Sequence, residues 1–369
     1  MPAPLRILHV LAPGDVGGLE TVVASLASAQ AEGGMSVLVA MLVEAGPRPQ
    51  ELRASLEERG VEVRTLVFKG RRYLAEQRAV GRLLDSWHPD VVHTHGYRPD
   101  VVDAPVARGR GIPTVTTVHG FTGNSLKNRF YEWLQRRAFR RFDAVVAVSS
   151  RLARELVETG VLVTKIRTLQ NAWAPVSGFL DRDAARATLG LDTHGPVVGW
   201  IGRLTPEKGP ELMVRAFAMV EEETAILVMI GDGQKREEVR RIAASLGVEN
   251  RVLLPGIVPH ASRLLRAFDV LALTSRTEGT PMVLLEAMAA GTPIVTRAVG
   301  GVPEMLSEEE AVLVHSGEGL AMARGLRFTL SKPREASARA ARARRRLERD
   351  FSVGPWVKGY LEIYESVRP

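Results

Sequence analysis

Two carboxylates, Glu278 and Glu286, flank the start of a short helix in residues 276–293, Arg-Thr-Glu-Gly-Thr-Pro-Met-Val-Leu-Leu-Glu-Ala-Met-Ala-Ala-Gly-Thr-Pro. The boundaries follow from residue type. Thr280 suits the N-cap, Pro281 the first helical position, Gly291 the residue after the end, and Pro293 blocks continuation. Glu278 then lies in the preceding loop and Glu286 on the second turn. The first-turn N–H groups at Met282 and Val283 face outward at a positive dipole end, which favours a phosphate. The segment offers an anion cradle with a carboxylate on either side, suited to a ligand with phosphates and sugar hydroxyls. Taken alone, it also suits an amphipathic helix with two solvated glutamates.

A second cluster lies upstream. Pro196-Val-Val-Gly-Trp-Ile-Gly202 reads as a buried strand, followed by a loop carrying Arg203, Lys208 and Gly209. Apolar residues at Leu212, Met213, Ala216 and Phe217 then mark a helix. Arg203 presents a planar fork to phosphate oxygens and Lys208 a compact point charge. The chain holds 42 Arg and 7 Lys, so a Lys beside Gly209 is less readily a matter of composition.

Gly202-Arg203-Leu-x-x-x-Lys208-Gly209, with Glu278-Gly279 and Glu286-Ala287-Met288-Ala289, resembles glycosyltransferase family 4. Further matching segments are Gly291-Thr-Pro-Ile-Val295, Gly300-Gly301-Val-Pro-Glu304, Gly17-Gly18-Leu-Glu20, Val118-His119-Gly120, Val148-Ser149, Asn171 and Gly231-Asp232-Gly233. The resemblance implies a GT-B fold, with two doubly wound, Rossmann-like α/β domains facing each other across a cleft. It implies a retaining glycosyltransferase that uses a UDP- or GDP-sugar donor and a saccharide or lipid-linked acceptor, in surface polysaccharide or glycolipid synthesis. Catalytic roles fall to His119, Arg203, Lys208 and Glu278. Donor contacts fall to Gly17, Gly18, Arg203, Lys208, Gly256, Ile257, Glu278, Pro281, Met282, Val283 and Glu286. Glu286 would take the ribose hydroxyls, Glu278 the transferred sugar, and backbone at Gly256–Ile257 the base. No metal or other cofactor is expected, because Arg and Lys neutralise the diphosphate. Asn171 is followed by Ala172-Trp173, where the family usually has Gly and an aliphatic residue.

The elements that must position these residues alternate between strand and helix, the pattern of parallel sheets covered on both faces. Strands are expected at 6–11, 36–43, 61–66, 91–95, 114–118, 144–148 and 166–169. In the second half they are expected at 197–201, 225–230, 252–254, 270–273, 293–296 and 311–314. Length alone calls for two domains. Pro175, Ser177, Gly178, Gly195 and Pro196 punctuate 171–196. The expected division is an acceptor-side domain at 1–173, a nucleotide-sugar domain at 174–354 and a last helix within 355–369. That helix carries Trp356, Tyr360 and Tyr364, and by resemblance it crosses back to the first domain.

Composition excludes several classes. There is no Cys, so no disulfide framework or thiolate metal site. No apolar run reaches the ~20 residues that span a bilayer, and the start lacks a signal-peptide core; a cytoplasmic protein is expected. Residues 1–173 carry 23 Lys/Arg against 17 Asp/Glu, while 174–369 carry 26 against 25. The excess concentrates in 127–141, where Lys127, Arg129, Arg136, Arg137, Arg140 and Arg141 interleave with Phe130, Tyr131, Trp133, Leu134 and Phe139. This basic amphipathic helix fits either peripheral contact with an anionic membrane or a core-facing helix with a solvated face. No nucleic-acid module accompanies the charge.

His93, His95 and His119 raise a zinc site, but no further His or carboxylate is placed to complete it. Gly17-Gly18 has neither dinucleotide-fingerprint nor P-loop spacing; adjacent glycines at a helix start permit close backbone approach to a ligand, or an ordinary turn. Two other functions remain open at this point: a UDP-sugar epimerase of the same fold, and a nucleotide-sugar-binding subunit whose partner does the chemistry.

Overall fold

The computed structural model describes residues 4–14, 17–45, 50–70, 72–121, 126–174, 178–191 and 195–368. The chain forms two units, the first comprising Met1–Ala172 with Val353–Pro369 and the second Trp173–Ser352. Pro175 and Ser177, expected to punctuate the boundary, lie outside the described residues.

The first unit holds β1 (Arg6–Leu11), β2 (Ser36–Glu44), β3 (Glu62–Phe68), β4 (Val91–His95), β5 (Thr114–Val118), β6 (Ala144–Ala147) and β7 (Ile166–Thr168). They form one sheet in the order β3-β2-β1-β4-β5-β6-β7, with every pairing parallel. The second unit holds β8 (Val197–Ile201), β9 (Ile226–Ile230), β10 (Val252–Gly256), β11 (Val270–Leu273), β12 (Ile294–Arg297) and β13 (Val312–Val314). Their order is β10-β9-β8-β11-β12-β13, again parallel throughout. Each strand expected from sequence is present, with ends shifted by up to two residues.

The central strands are buried on both faces, which explains the apolar runs of β2, β6, β8, β9 and β11. In the second unit, Trp200, Met213, Phe217, Leu227 and Val270 share one core. In the first, Leu8, Val10, Leu38 and Val92 pack on one side, and Leu11, Val39 and Met41 pack with Val23 and Ala27 on the other. The helix Val353–Val367 closes the first unit, with Tyr360 and Tyr364 fully buried.

Strand order reverses between β1 and β4 in the first unit and between β8 and β11 in the second. Loops leaving the carboxyl ends at such a point diverge to opposite sides and open a crevice for ligand. In the second unit the two loops are tied together by Thr274. Its hydroxyl lies 3.1 Å from the Lys208 carbonyl and 2.9 Å from the Gly209 carbonyl, and it accepts from Trp200 Nε1 at 3.1 Å. Gly209 has φ 61°, and a Cβ there would stand 2.6 Å from the Thr274 carbonyl. The loop after β8 is therefore pressed onto the end of β11.

Thr274→Val should cost roughly 1–3 kcal/mol, because it leaves the buried Trp200 N–H without its acceptor. Urea unfolding checks this; an unchanged midpoint would refute the clamp.

Candidate functional site

The clamp sets the main contact of the second unit. Lys208, at the end of the loop after β8, places Nζ 2.7 Å from Glu278 Oε1 in the loop after β11. The Lys208 side chain is 23% exposed and that of Glu278 is 7% exposed, so the pair is largely withdrawn from water. An ammonium has three donors and a carboxylate two oxygens. The pair thus keeps donors for phosphate and an oxygen for a hydroxyl while each charge balances the other. Arg203 differs: its side chain is 54% exposed, with a long 3.5 Å contact to Glu207. It is an exposed cation beside a withdrawn one.

The helix after Glu278 spans Met282–Ala290, with Pro281 rather than Thr280 at the N-cap. This corrects the expected start by one residue. Pro281 adopts φ −68° and ψ 114°, an extended conformation that its ring permits, so it stands just outside the helix instead of opening it. No side chain caps this end. The N–H groups of Met282 and Val283 have no acceptor within their own helix. Gly291 ends the helix in the left-handed region, φ 74°, where glycine was expected. Glu286 is half-buried, and desolvation pushes its carboxyl up to about 7. Gly256 ends β10, where its carbonyl accepts from Gly231 N–H at 2.8 Å, and the neighbouring Ile257 is exposed.

The expected residues therefore divide. Arg203, Lys208, Gly256, Ile257, Glu278, Pro281, Met282, Val283 and Glu286 belong to the second unit, and Gly17, Gly18 and His119 to the first. Gly17 is the extended N-cap of the helix Gly18–Glu32, again with no side-chain cap. Glu20 turns back to accept from Gly14 N–H at 3.0 Å, which holds the loop after β1.

A cavity of about 200 Å³ lies in the first unit, at the carboxyl ends of β4 and β5. Among its lining residues are Tyr97, Thr117, His119, Glu132 and Gln135. Tyr97 and Tyr131 stack with centroids 4.5 Å apart. Burial lowers the His119 pKa to about 4, so its imidazole is neutral near pH 7, and its Nε2 is buried with no partner among the described residues. Gln135 is oriented by Asp100, whose Oδ2 accepts from its amide at 2.6 Å.

His9, in β1, was missed as a companion of His93 and His95. The pairing of β1 with β4 sets His9 opposite His93, and the three imidazoles meet in the buried interior. A lone polar residue in the apolar run Ile7–Leu11 was the available signal. Thr117, Tyr97 and Gln135 were also missed, since single polar residues of these types carry no motif.

In the basic segment, the helix Leu126–Phe139 turns Gln135 and Phe139 inward and leaves Phe130 and Trp133 exposed. Those two rings stack at 5.9 Å, and the Arg137 guanidinium lies 5.1 Å from the Trp133 ring. The side chains of Lys127 and Arg129 lie outside the described residues. Among the described residues, no helix is long and apolar enough to cross a membrane.

Comparison with known proteins agrees with this architecture. Residues 16–173 match the family described as Glycosyltransferase Family 4, and residues 181–346 match Glycosyl transferases group 1. The D-inositol 3-phosphate glycosyltransferase of Acidothermus cellulolyticus is 30% identical over 97% of this chain and 88% of its own. The 2-deoxystreptamine N-acetyl-D-glucosaminyltransferase of Streptomyces fradiae is 30% identical over 84% of this chain and 81% of its own. Among solved structures, Anabaena HepE in complex with UDP and glucose is similar at TM-score 0.84 and 22% identity, covering 98% of this chain and 100% of that one. Family-wide matches in both units, relatives aligned along most of the chain and two parallel sheets of this order leave one assignment: the chain belongs to glycosyltransferase family 4 and is a glycosyltransferase of the GT-B fold.

Proposed function

We propose that this enzyme transfers a sugar, with retention and without a metal, from a UDP- or GDP-sugar to a small polyhydroxylated ring. The observation that carries the donor half is the Lys208–Glu278 pair at the reversal of strand order, followed by an uncapped helix start. Lys208, the exposed Arg203 and the N–H groups at Met282–Val283 hold the diphosphate, with Pro281 setting the turn. Glu278 turns its second oxygen to a hydroxyl of the transferred sugar, Glu286 accepts from the ribose diol, and the chain at Gly256–Ile257 meets the base. The helix start at Gly17–Gly18 offers the first unit's backbone donors.

In the reaction the bond from the sugar anomeric carbon to the diphosphate oxygen breaks, and the acceptor oxygen bonds to that carbon on the same face. The acceptor proton passes to the leaving phosphate oxygen. Negative charge grows on the diphosphate, so a fixed cation there lowers the barrier more than it tightens ground-state binding. At an effective dielectric of about 20, one charge ~4 Å away contributes about 4 kcal/mol of gross Coulomb energy. The Glu278–Glu286 pair has no acid–nucleophile role.

For the acceptor, the cavity beside His119 is small enough for a single ring, and its aromatic wall suits the apolar face of one. The two relatives named for inositol 3-phosphate and 2-deoxystreptamine act on six-carbon rings bearing several hydroxyls, in support of this class. Exposed Phe130 and Trp133 beside Arg137 favour a second reading, a ring or saccharide presented on an anionic lipid surface. Cyclitols and monosaccharides assayed with each donor, with and without anionic vesicles, decide between the two. Turnover of a free ring without vesicles supports the first reading, and a strict vesicle requirement supports the second.

Thermal shift against UDP-, GDP- and ADP-sugars, with and without EDTA, tests the donor class. Stabilisation by one series, unaltered by EDTA, is expected. Dependence on a divalent cation would overturn the metal-free reading. Lys208→Met should lower kcat by about 10²–10³-fold while circular dichroism stays native, and near-normal turnover would remove Lys208 from the phosphate site.

Glu286 predicts a pH dependence. Its proton is held more tightly in the fold than in the unfolded chain, so the unliganded protein loses stability as pH rises from about 4.5 through 7. Ribose hydroxyls favour the ionised form. Donor affinity should therefore rise about tenfold between about pH 6 and pH 8. Glu286→Gln should flatten that profile and raise the melting temperature of the unliganded protein above pH 7. An unchanged slope in the variant would refute the role.

A further inference from the structure

Behind the first-unit cavity, polar side chains from β1, β4, β5, the helix Gly18–Glu32 and the helix Val353–Val367 form one buried chain of hydrogen bonds. Its direction is fixed at Gln30. The Gln30 carbonyl oxygen lies 2.8 Å from His9 Nε2, and its amide donates to Tyr364 Oη at 3.0 Å. His9 Nε2 must then carry the proton, so His9 Nδ1 accepts from His95 Nε2 at 2.9 Å. The Tyr364 hydroxyl proton has no other acceptor among the described residues, so it is donated to His93 Nδ1 at 2.8 Å. His93 Nε2–H in turn donates to Thr117 Oγ1 at 2.8 Å, and Tyr360 Oη reaches the same oxygen at 3.0 Å. Thr117 lines the cavity.

A threonine hydroxyl has two lone pairs and one proton. When His93 and Tyr360 both donate, the lone pairs are filled and the proton is left for a ligand oxygen. We propose that Tyr360, from the C-terminal helix, and His93, from β4, are positioning residues for the acceptor, fixing Thr117 as a hydrogen-bond donor in the cavity. This rests on the reading that the cavity receives the acceptor. Tyr360, Tyr364 and His93 are fully buried and Thr117 is 2% exposed, so water does not compete for these bonds. Burial lowers the His9 pKa to about 4, lowers His93 and His95 well below their usual value and raises both tyrosines. Each member is neutral around pH 7, as the donor-to-acceptor order requires.

The same geometry argues against using the three imidazoles as a metal site. Five of their six ring nitrogens are engaged by protein groups, and only His95 Nδ1 has no partner among the described residues. An ion would have to break the chain it enters.

Tyr360→Phe keeps the ring and removes the hydroxyl. The acceptor KM should rise about fivefold or more, with donor KM and donor hydrolysis changed by less than about twofold. His93→Gln, which retains an N–H donor, should recover acceptor binding relative to His93→Leu. An acceptor KM rising less than about fivefold in Tyr360→Phe, or donor and acceptor KM rising together, would overturn the proposal. Ring-nitrogen NMR of the wild-type protein reads the chain without turnover: His93 should be protonated at Nε2 and bare at Nδ1, and the opposite tautomer overturns the relay. If His93 shows the expected tautomer but no cyclitol or monosaccharide is turned over, the relay stands and the acceptor reading fails.

Discussion

An ammonium and a carboxylate 2.7 Å apart, both largely withdrawn from water, are the interaction on which the rest of the second unit's site depends. Such a pair costs desolvation and the rotamer freedom of a lysine, of order 2 kcal/mol. It persists because the backbone on each side is fixed. Thr274 binds the carbonyls of Lys208 and Gly209. On the other side, Gly301 N–H donates to the Glu278 carbonyl at 3.1 Å. Gly300, in the left-handed region, packs so closely that a Cβ would fall 1.8 Å from that carbonyl. Preorganisation of this kind lets a cation meet developing charge without being gathered from solvent at the moment of reaction.

The two reversals of strand order use opposite chemistries. At β8/β11 the loops supply charge and an uncapped helix end, which suit phosphate. Around β4 and β5 the first unit supplies a neutral imidazole, a hydroxyl, an amide and stacked tyrosines, together with the carboxyl group of Glu132. A sugar or cyclitol hydroxyl exchanges hydrogen bonds with neutral groups at low desolvation cost, whereas a diphosphate needs compensating charge. One topology thus suits two ligand chemistries, because the loops differ while the strands set the register and, in β5, bring Thr117 to the cavity.

That division also explains what was legible in the sequence. Most inner strands are buried apolar runs and the partly exposed edge strands β3, β7, β10 and β13 lie between clear turn signals, so all thirteen could be placed to within two residues. Lys208 and Glu278 were visible because each sits beside a glycine that marks a loop, and Glu286 because Pro281 and Gly291 bracket its helix. The start at Met282 was misjudged because threonine caps and proline openings are statistical preferences, and here the proline itself stands at the cap. The hydrogen-bond chain was hidden for another reason. Gln30 meets Tyr364 across 334 positions, and His93 meets the same tyrosine across 271. Amide and hydroxyl partners so far apart leave no local pattern. Only the lone His9 in an apolar strand gave a sign.

The four histidines around β1, β4 and β5 show how satisfaction of polar groups separates structure from function. Both ring nitrogens of His9 and of His93 are hydrogen-bonded within the protein, which makes these residues parts of the frame. His95 and His119 each keep one buried nitrogen without a partner among the described residues. An unmade hydrogen bond in such a place costs stability, of order 1–3 kcal/mol. Of the two, only His119 lines the cavity. Its ring lies 6.1 Å from that of His95, which is itself tied through His9 and Gln30 to the C-terminal helix. The half-buried Glu286 follows the same logic in the second unit: its carboxyl lacks the compensation that would return its pKa to the usual range. Groups left short of partners in this way mark where the fold expects a ligand to complete them.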